Sequence, residues 1–237
     1  MRSLRVVTRL SGVALLLCVT SCVESRSPLS NPSTCTPDED IIGLWVSENQ
    51  DGSRRVVLVG KKNTMDLVGS PNGIMCMGYA DFDKNGHLIS TEATNTFFVS
   101  TIGTEKFMNR FKLGEATKQI TTPDKKVVKV WNPEGVKEYT LFKYEATKDK
   151  LVIWRGDPNQ RALATLIDNG KLLGSVTWDD KKEYPTKLEL TDSTEGLTKF
   201  LLGGGSAQLF PDKVRLPDTK EEIRCKVEYR RLTLPAK

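Results

Sequence analysis

The sequence predicts a mainly β protein with one globular domain over residues 41–237. Its apolar runs are short and rich in β-branched residues, and turn residues separate them, as is typical of antiparallel strands. Asn85-Gly86 is a strong hairpin signal because both residues tolerate positive φ. Only two stretches, 158–168 and 194–202, have the spacing of short amphipathic helices. We therefore expect an antiparallel curled sheet or small barrel with two helices.

The predicted strands follow each other closely from Ile41 onward. They are Ile41–Glu48, Arg54–Val59, Thr64–Gly69, Ile74–Asp81, His87–Glu92, Glu105–Leu113, Val127–Trp131, Lys137–Ala146, Lys150–Trp154, Leu172–Thr177, Thr186–Leu190, Ala207–Phe210 and Ile223–Leu232. Short connections between such strands favour antiparallel neighbours.

The two predicted helices have recognisable ends. Asp157 is a suitable N-cap for the first helix, and Pro158 suits its first turn. Asp192 or Ser193 would cap the second helix, which Gly203 would end. Both are too short to be stable alone, so we expect them to pack on the sheet.

Residues 1–21 have the order of a secretory signal peptide. Three basic residues precede the apolar run Val13–Val19, and small residues follow it. The stretch Val19-Thr20-Ser21-Cys22 resembles the lipobox of bacterial lipoproteins. That resemblance implies cleavage after residue 21 and a lipid such as palmitate on Cys22, which would anchor the protein to a membrane. Val23 after the cysteine favours the outer membrane, facing the periplasm or the exterior.

Two alternatives remain for this segment. Cleavage without lipidation would leave Cys22 as a thiol. A retained membrane span over 10–22 would be shorter than the roughly 20 apolar residues that cross a bilayer. Residues 22–40 are rich in Ser, Pro, Asn and Thr without apolar periodicity, which predicts a lipidated, disordered tether.

The net charge argues against nucleic acid as a partner. The whole chain has a formal charge of +5, but the signal peptide contains three basic and no acidic residues. The mature chain is therefore close to neutral, and its charges are mixed in sign. The sequence identifies no protein partner.

Three cysteines remain after the signal and the lipidation site: Cys35, Cys76 and Cys225. In an oxidising compartment, three cysteines allow at most one intramolecular disulfide. A Cys35–Cys225 bridge would tie the first element to the last and is the favoured candidate. A Cys76–Cys225 bridge, or no bridge, remains open. The spacing matches no zinc pattern, and no cofactor is expected.

The stretch from Asp81 to Glu92 fits the calcium-loop pattern D-x-D-x-N-G-x5-E. Asp81, Asp83, Asn85 and Glu92 would be the oxygen ligands. The flanking segments read as strands rather than as the helices of an EF-hand. A plain β-hairpin is therefore the favoured interpretation, with calcium binding as the alternative.

Catalytic machinery is hard to find. His87 is the single histidine, so any histidine-dependent hydrolysis would have to use it, and no G-x-S-x-G motif occurs. Adjacent carboxylates such as Asp179 and Asp180 would point to opposite faces of a strand. We do not expect an enzyme, and a carboxylate-based hydrolase is the weakest of the function hypotheses.

Gly43-Leu44-Trp45 on the first strand is similar to the Gly-x-Trp start of lipocalin-like barrels. In that family an arginine late in the chain packs over the tryptophan, and Arg224, Arg230 or Arg231 could do so here. The whole layout resembles uncharacterised lipocalin-like bacterial lipoproteins. This resemblance supplies no established activity. The first hypothesis is a membrane-anchored, non-enzymatic barrel that takes a small apolar ligand in its cup. A structural or interaction protein of the envelope with a filled core is the alternative.

Overall fold

The computed structural model describes residues 23–64, 66–157, 160–178, 185–215 and 222–233. The strands within these ranges are β1 Val23–Ser25, β2 Gly43–Glu48, β3 Arg54–Lys61, β4 Leu67–Val68, β5 Met75–Phe82, β6 Leu88–Ile102, β7 Glu105–Phe111, β8 Thr117–Thr121, β9 Val127–Trp131, β10 Tyr139–Ala146, β11 Lys150–Trp154, β12 Gly174–Trp178, β13 Pro185–Leu190, β14 Lys213–Arg215, β15 Glu222–Arg224 and β16 Lys226–Arg231. The α-helices are α1 Arg161–Asp168, α2 Thr194–Phe200 and α3 Ser206–Leu209.

Eight strands form a closed antiparallel barrel. Going round the wall, they are β2, β3, β5, β6, β7, β10, β11 and β16, and β16 pairs with β2 to close it. The closing pairs are Arg230 with Val46 and Arg231 with Trp45. Closure leaves no free edge in this wall, because each strand has two partners. The predicted fold class, mainly β with a lipocalin-like barrel, is confirmed.

A second group of strands continues from the barrel wall. One edge of β10 has two partners. Residues 143–146 of β10 pair with β11, and residues 139–141 pair with β1. β1 then pairs with β13, and β13 with β12. Helices α1 and α2 bury Leu163, Leu166 and Leu197 against this side. The barrel wall is therefore buried on both faces where this layer covers it.

The prediction of a disordered tether over residues 22–40 is wrong for residues 23–40, which pack on the barrel. Val23 and Leu29 are buried, and the Leu29 amide donates a hydrogen bond to Asn109 Oδ1 at 2.8 Å. Arg26 forms an ion pair with Glu189 at 2.7 Å. The polar composition led to a wrong prediction because β10 and β13 provide hydrogen-bond partners for the backbone of this segment. Cys22 and the predicted signal peptide lie outside the described residues.

The helical regions were predicted with errors at their ends. Ser193 caps α2 as expected, its Oγ accepting from the Gly196 amide at 3.1 Å. The helical stretch runs through a wide turn at Leu201–Gly205 and breaks at Gly204, one residue after the predicted end at Gly203. Gly204 has a non-helical φ of +89°, and α3 is a separate helix beyond this break. The predicted strand Ala207–Phe210 is therefore wrong, because α3 covers most of it.

The first helix begins at Arg161, later than the predicted start at 158. Gln160 occupies the capping position with φ of 52°, so the prediction of Asp157 as N-cap is wrong. Asp157 Oδ2 still accepts a hydrogen bond from the Ala162 amide at 3.4 Å. Pro158 lies outside the described residues.

The barrel interior has its own core. It consists of Ile41, Trp45, Val57, Val59, Met75, Met77, Phe97, Met108, Tyr144, Leu151, Ile153 and Tyr229. One end is closed by a short 3-10 turn, Glu39–Ile41, whose Ile41 side chain is fully buried. Asp38, just before this turn, accepts hydrogen bonds from Lys106 Nζ and the Tyr144 hydroxyl. This closed end fixes the N-terminal segment to the wall.

Candidate ligand-binding cavity

The other end of the barrel is open and leads into a cavity of about 180 Å³. Its lining lies along β3, β5, β6, β7, β10, β11 and β16, and its outermost members stand near the ends of β7 and β11 and near the starts of β3 and β16. It comprises Arg55, Met77, Tyr79, Glu92, Asn95, Phe97, Met108, Arg110, Phe142, Ile153, Arg155, Val227 and Tyr229. In an antiparallel barrel these strand ends meet at one rim, which explains why residues so far apart in sequence converge.

The floor of the cavity is apolar. Met77, Phe97, Met108, Ile153 and Tyr229 belong to the interior core, and each is less than one tenth exposed. The volume corresponds to roughly six water molecules at about 30 Å³ each. It is also below the range of about 300–1,000 Å³ typical of sites for drug-sized ligands. The site therefore suits a small or narrow apolar group.

Polar and charged side chains line the entrance. We call this entrance the mouth and define it by Arg55, Tyr79, Glu92, Asn95, Arg110 and Arg155. Arg55 holds Asp81 in a two-point ion pair, with Nε and Nη2 at 2.7 and 2.9 Å from the carboxylate oxygens. The hydrogen bond from Arg55 lowers the pKa of Asp81, so the pair stays charged and self-neutralising.

Arg110 and Arg155 are half-buried at the same mouth. Arg110 lies 5.5 Å from the Phe142 ring and donates weakly to Asn95 Oδ1 and Thr140 Oγ1, at 3.4 and 3.3 Å. Within the described ranges, neither Arg110 nor Arg155 has a carboxylate oxygen within 4.0 Å. Both cations therefore face the cavity entrance without a neutralising contact from those residues.

Two tyrosines extend from the floor to the mouth. Burial raises the pKa of the Tyr79 and Tyr229 hydroxyls, and the nearby charge of Arg155 offsets part of that rise in both. Both hydroxyls are therefore neutral at physiological pH. The Tyr79 hydroxyl donates to Met77 Sδ at 2.6 Å.

The Gly-x-Trp segment at the closed end matches the geometry that the resemblance implied. The Arg231 guanidinium lies 4.3 Å from the Trp45 ring centroid, and the Trp45 indole N–H donates to the Ile41 carbonyl at 2.8 Å. A Cβ on Gly43 would lie 2.8 Å from Arg231 Nη1, and φ there is +146°, so only glycine fits. Of the three candidate arginines, Arg231 takes the role.

The calcium-loop residues form a hairpin instead of a single oxygen cage. Asp81 is engaged by Arg55 and Ser90, while Asp83 accepts from the amides of Asn85 and His87 at 2.8 Å. Glu92 lies on β6 opposite Tyr79 and accepts from Asn95. No cluster of three potential metal-ligating side chains occurs among the residues that the structure describes.

The predicted Cys35–Cys225 bridge is not formed. Cys35, Cys76 and Cys225 are all free thiols. Cys35 lies beside the Gly73 turn that precedes β5, whereas the backbone of Cys225 bonds to Asp212 and Arg155 near the end of β11. The two residues thus pack against different parts of the barrel. Burial raises the pKa of the Cys35 and Cys225 thiols to about 11, which makes both unreactive.

His87, the single histidine, lies at the tip of the β5–β6 hairpin. Its side chain is 79% exposed and its Nδ1 is 3.1 Å from Asp83 Oδ2. It is not part of the cavity lining. Across the described portion of the chain, no helix is long and apolar enough to traverse a bilayer.

No protein-family model matches the chain, and no curated protein or solved structure matches it either.

Sequence reasoning missed the mouth arginines, although the strands contain a signal for them. Residues two apart in a strand share a face. Arg110 follows the inward-facing Met108 at this spacing, Arg155 follows Ile153, and Arg55 precedes Val57. Arginine at an inward position near a strand end is the pattern that would have predicted a charged entrance.

Proposed function

We propose that this protein is a lipoprotein of the bacterial cell envelope whose barrel binds a small apolar molecule without catalysis. The apolar cavity at the open end of the barrel is the observation that carries this proposal. Its floor of methionine, aromatic and aliphatic side chains removes apolar ligand surface from water, which is favourable at about 25 cal/mol per Å².

The position of β1 supports a role next to a membrane. Val23 directly follows Cys22, the proposed lipidation site, and pairs with Leu141 of β10. The next residue, Glu24, lines a groove that shares Glu92 and Arg110 with the mouth. Two residues span at most about 7 Å, so a lipid on Cys22 would hold the mouth close to the membrane surface. Apolar ligands concentrate in such surfaces.

The binding proposal is tested by titrating the folded domain with octan-1-ol in a calorimeter. We expect saturable binding of one molecule per chain. Val227→Phe should weaken binding at least tenfold, because Val227 lines the cavity and the larger ring would fill it. Leu58→Phe is the matched control, since Leu58 lies on the outer face of β3 and is 59% exposed. It should bind octan-1-ol like the wild type.

Absence of binding by octan-1-ol and by its charged eight-carbon analogues, octanoate and octyl phosphate, would overturn the binding proposal. It would favour the second candidate, a structural or interaction protein of the envelope. The side chains that fill the closed half of the barrel around Trp45 favour that alternative, because a fully packed interior needs no ligand.

The anchor is tested by intact mass of the protein extracted from bacterial membranes. We expect a chain that begins at Cys22 and carries acyl groups. Cys22→Ala should leave the acylated species undetectable and move the protein from the membrane to the soluble fraction. Recovery of a membrane-bound chain with residues 1–21 still attached would contradict lipidation at Cys22.

A further inference from the structure

The mouth contains more positive than negative charge. Arg55 and Asp81 neutralise each other through their two-point ion pair. Of the remaining lining residues, Arg110 and Arg155 are cationic and only Glu92 is anionic. Glu92 Oε1 accepts from Asn95 Nδ2 at 3.2 Å, and Asn95 Oδ1 in turn faces Arg110. The asparagine thus separates this carboxylate from the guanidinium.

The charge of Arg155 acts on the interior of the barrel. It lowers the pKa of two buried hydroxyls, Tyr79 and Tyr229, against the larger raising effect of burial. The charge of Arg155 also helps to lower the pKa of Asp81, but Arg55 makes the larger contribution and holds that carboxylate directly. The Arg155 backbone amide donates to the Cys225 carbonyl at 2.8 Å, which leaves its guanidinium at the rim of an apolar cavity.

A half-buried cation beside apolar walls gains most from an anionic partner. Partial desolvation strengthens a charge-assisted hydrogen bond relative to bulk water. Guanidinium groups present paired N–H donors whose geometry matches an oxyanion such as a carboxylate or phosphate. An uncharged ligand would leave these donors without such a partner.

We propose that the ligand is an amphiphile with an oxyanion head, which Arg110 and Arg155 bind at the mouth while its apolar chain enters the cavity. This inference rests on the proposed binding function and names its ligand class. The cavity of about 180 Å³ restricts the buried part to a short chain. Any longer chain would extend through the mouth.

The test compares three eight-carbon probes on the folded protein at neutral pH by calorimetry: octanoate, octyl phosphate and octan-1-ol. They share an apolar chain and differ in the head group. We expect both anions to bind at least tenfold more tightly than the alcohol, since one charge-assisted contact is worth about that factor. The preference should fall as sodium chloride is raised, because the mouth is partly exposed.

Arginine variants assign the effect to the mouth. Arg110→Met and Arg155→Met keep an apolar stem of similar length and remove the charge. Each should weaken the binding of octanoate and octyl phosphate several-fold more than it changes the binding of octan-1-ol. Arg54→Met is the matched control, because Arg54 is a neighbouring arginine whose side chain is 59% exposed and lies outside the cavity lining. It should retain the full preference.

The outcomes separate this inference from the function on which it rests. Binding of octan-1-ol without any preference for the anions overturns the oxyanion assignment and keeps the apolar cavity. An anion preference that survives in both Arg110→Met and Arg155→Met also overturns it. Failure of all three probes to bind the wild type overturns the binding function itself.

Discussion

At the scale of single residues, Arg231 has the densest set of contacts at the closed end. Its guanidinium covers Trp45 and donates to the carbonyls of Ile42, Asp40 and Lys148 at 2.8, 2.6 and 2.6 Å. One side chain thus connects β16, the 3-10 turn and the β10–β11 hairpin. The Gly-x-Trp pattern predicted an arginine in this role but could not choose among three. The strand register selects Arg231, because Arg231 is the residue of β16 that pairs with Trp45 of β2.

Arg231→Met should destabilise the fold by about 2 to 4 kcal/mol, because it removes the cation–π contact and leaves carbonyl acceptors unpaired. Urea unfolding followed by tryptophan fluorescence measures the change. Arg230→Met is the control, since the Arg230 side chain is 78% exposed and its ion pair with Glu48 is long, at 3.9 Å. It should stay within about 0.5 kcal/mol of the wild type. Equal effects of the two variants would contradict the role of Arg231.

At the scale of elements, the N-terminal segment shows where composition misleads. Its serines, prolines and asparagine resemble a linker, yet Ser30 and Ser33 form hydrogen bonds to Ser100 of β6 and Trp131 of β9. Asn109 is fully buried and binds both the Leu29 amide and Ser100 Oγ. Such long-range partners leave no local periodic signal. By contrast, the β5–β6 hairpin was predicted from a local turn motif and is present.

Leu29→Ala tests whether this segment belongs to the folded domain. Leu29 is 3% exposed and belongs to the hydrophobic cluster between the barrel wall and helices α1 and α2, so we expect a loss of about 2 to 5 kcal/mol in the free energy of unfolding. Thr36→Ala, at an exposed position of the same segment, should change it by less than about 0.5 kcal/mol. A disordered tether would make both substitutions neutral, and that result in urea unfolding would contradict the packed segment.

At the scale of the whole molecule, the barrel is filled at one end and open at the other. Trp45, Ile41 and Tyr144 occupy the closed end, while Met108, Phe142 and Val227 are among the side chains that border the cavity. Asp38 joins the N-terminal segment to the wall there. Burial raises the pKa of Asp38, but hydrogen bonds from Lys106 and Tyr144 outweigh it, so the pKa is lowered overall.

Because the pKa of Asp38 is lowered in the folded state, the free energy of unfolding varies with pH in the acid range. Asp38 contributes its full stabilisation above its pKa in the unfolded chain, about 3.9. The contribution is lost as the pH falls through the lower pKa that Asp38 has in the folded protein. Asp38→Asn should therefore cost about 1 to 3 kcal/mol at pH 7 and flatten the loss of stability below pH 4. Urea midpoints between pH 7 and pH 2.5 measure both effects.

Asp40→Asn is the control for that experiment. Asp40 is 68% exposed and lies 3.7 Å from the same Lys106 amino group. At pH 7 its replacement should cost no more than about 0.5 kcal/mol. If Asp38→Asn were as mild as Asp40→Asn, the closed end would not depend on the Asp38 contacts.

The sequence by itself determined the β class, most strand positions, the β5–β6 hairpin and the prediction of a lipid anchor, because each follows from local alternation, turn chemistry or a contiguous motif. Only the tertiary structure decided the closure of the barrel, the packing of residues 23–40 and the convergence of Arg55, Arg110 and Arg155 at one mouth. These three arginines lie on β3, β7 and just after β11. Strand order and register bring them together, and no local pattern in the chain specifies either.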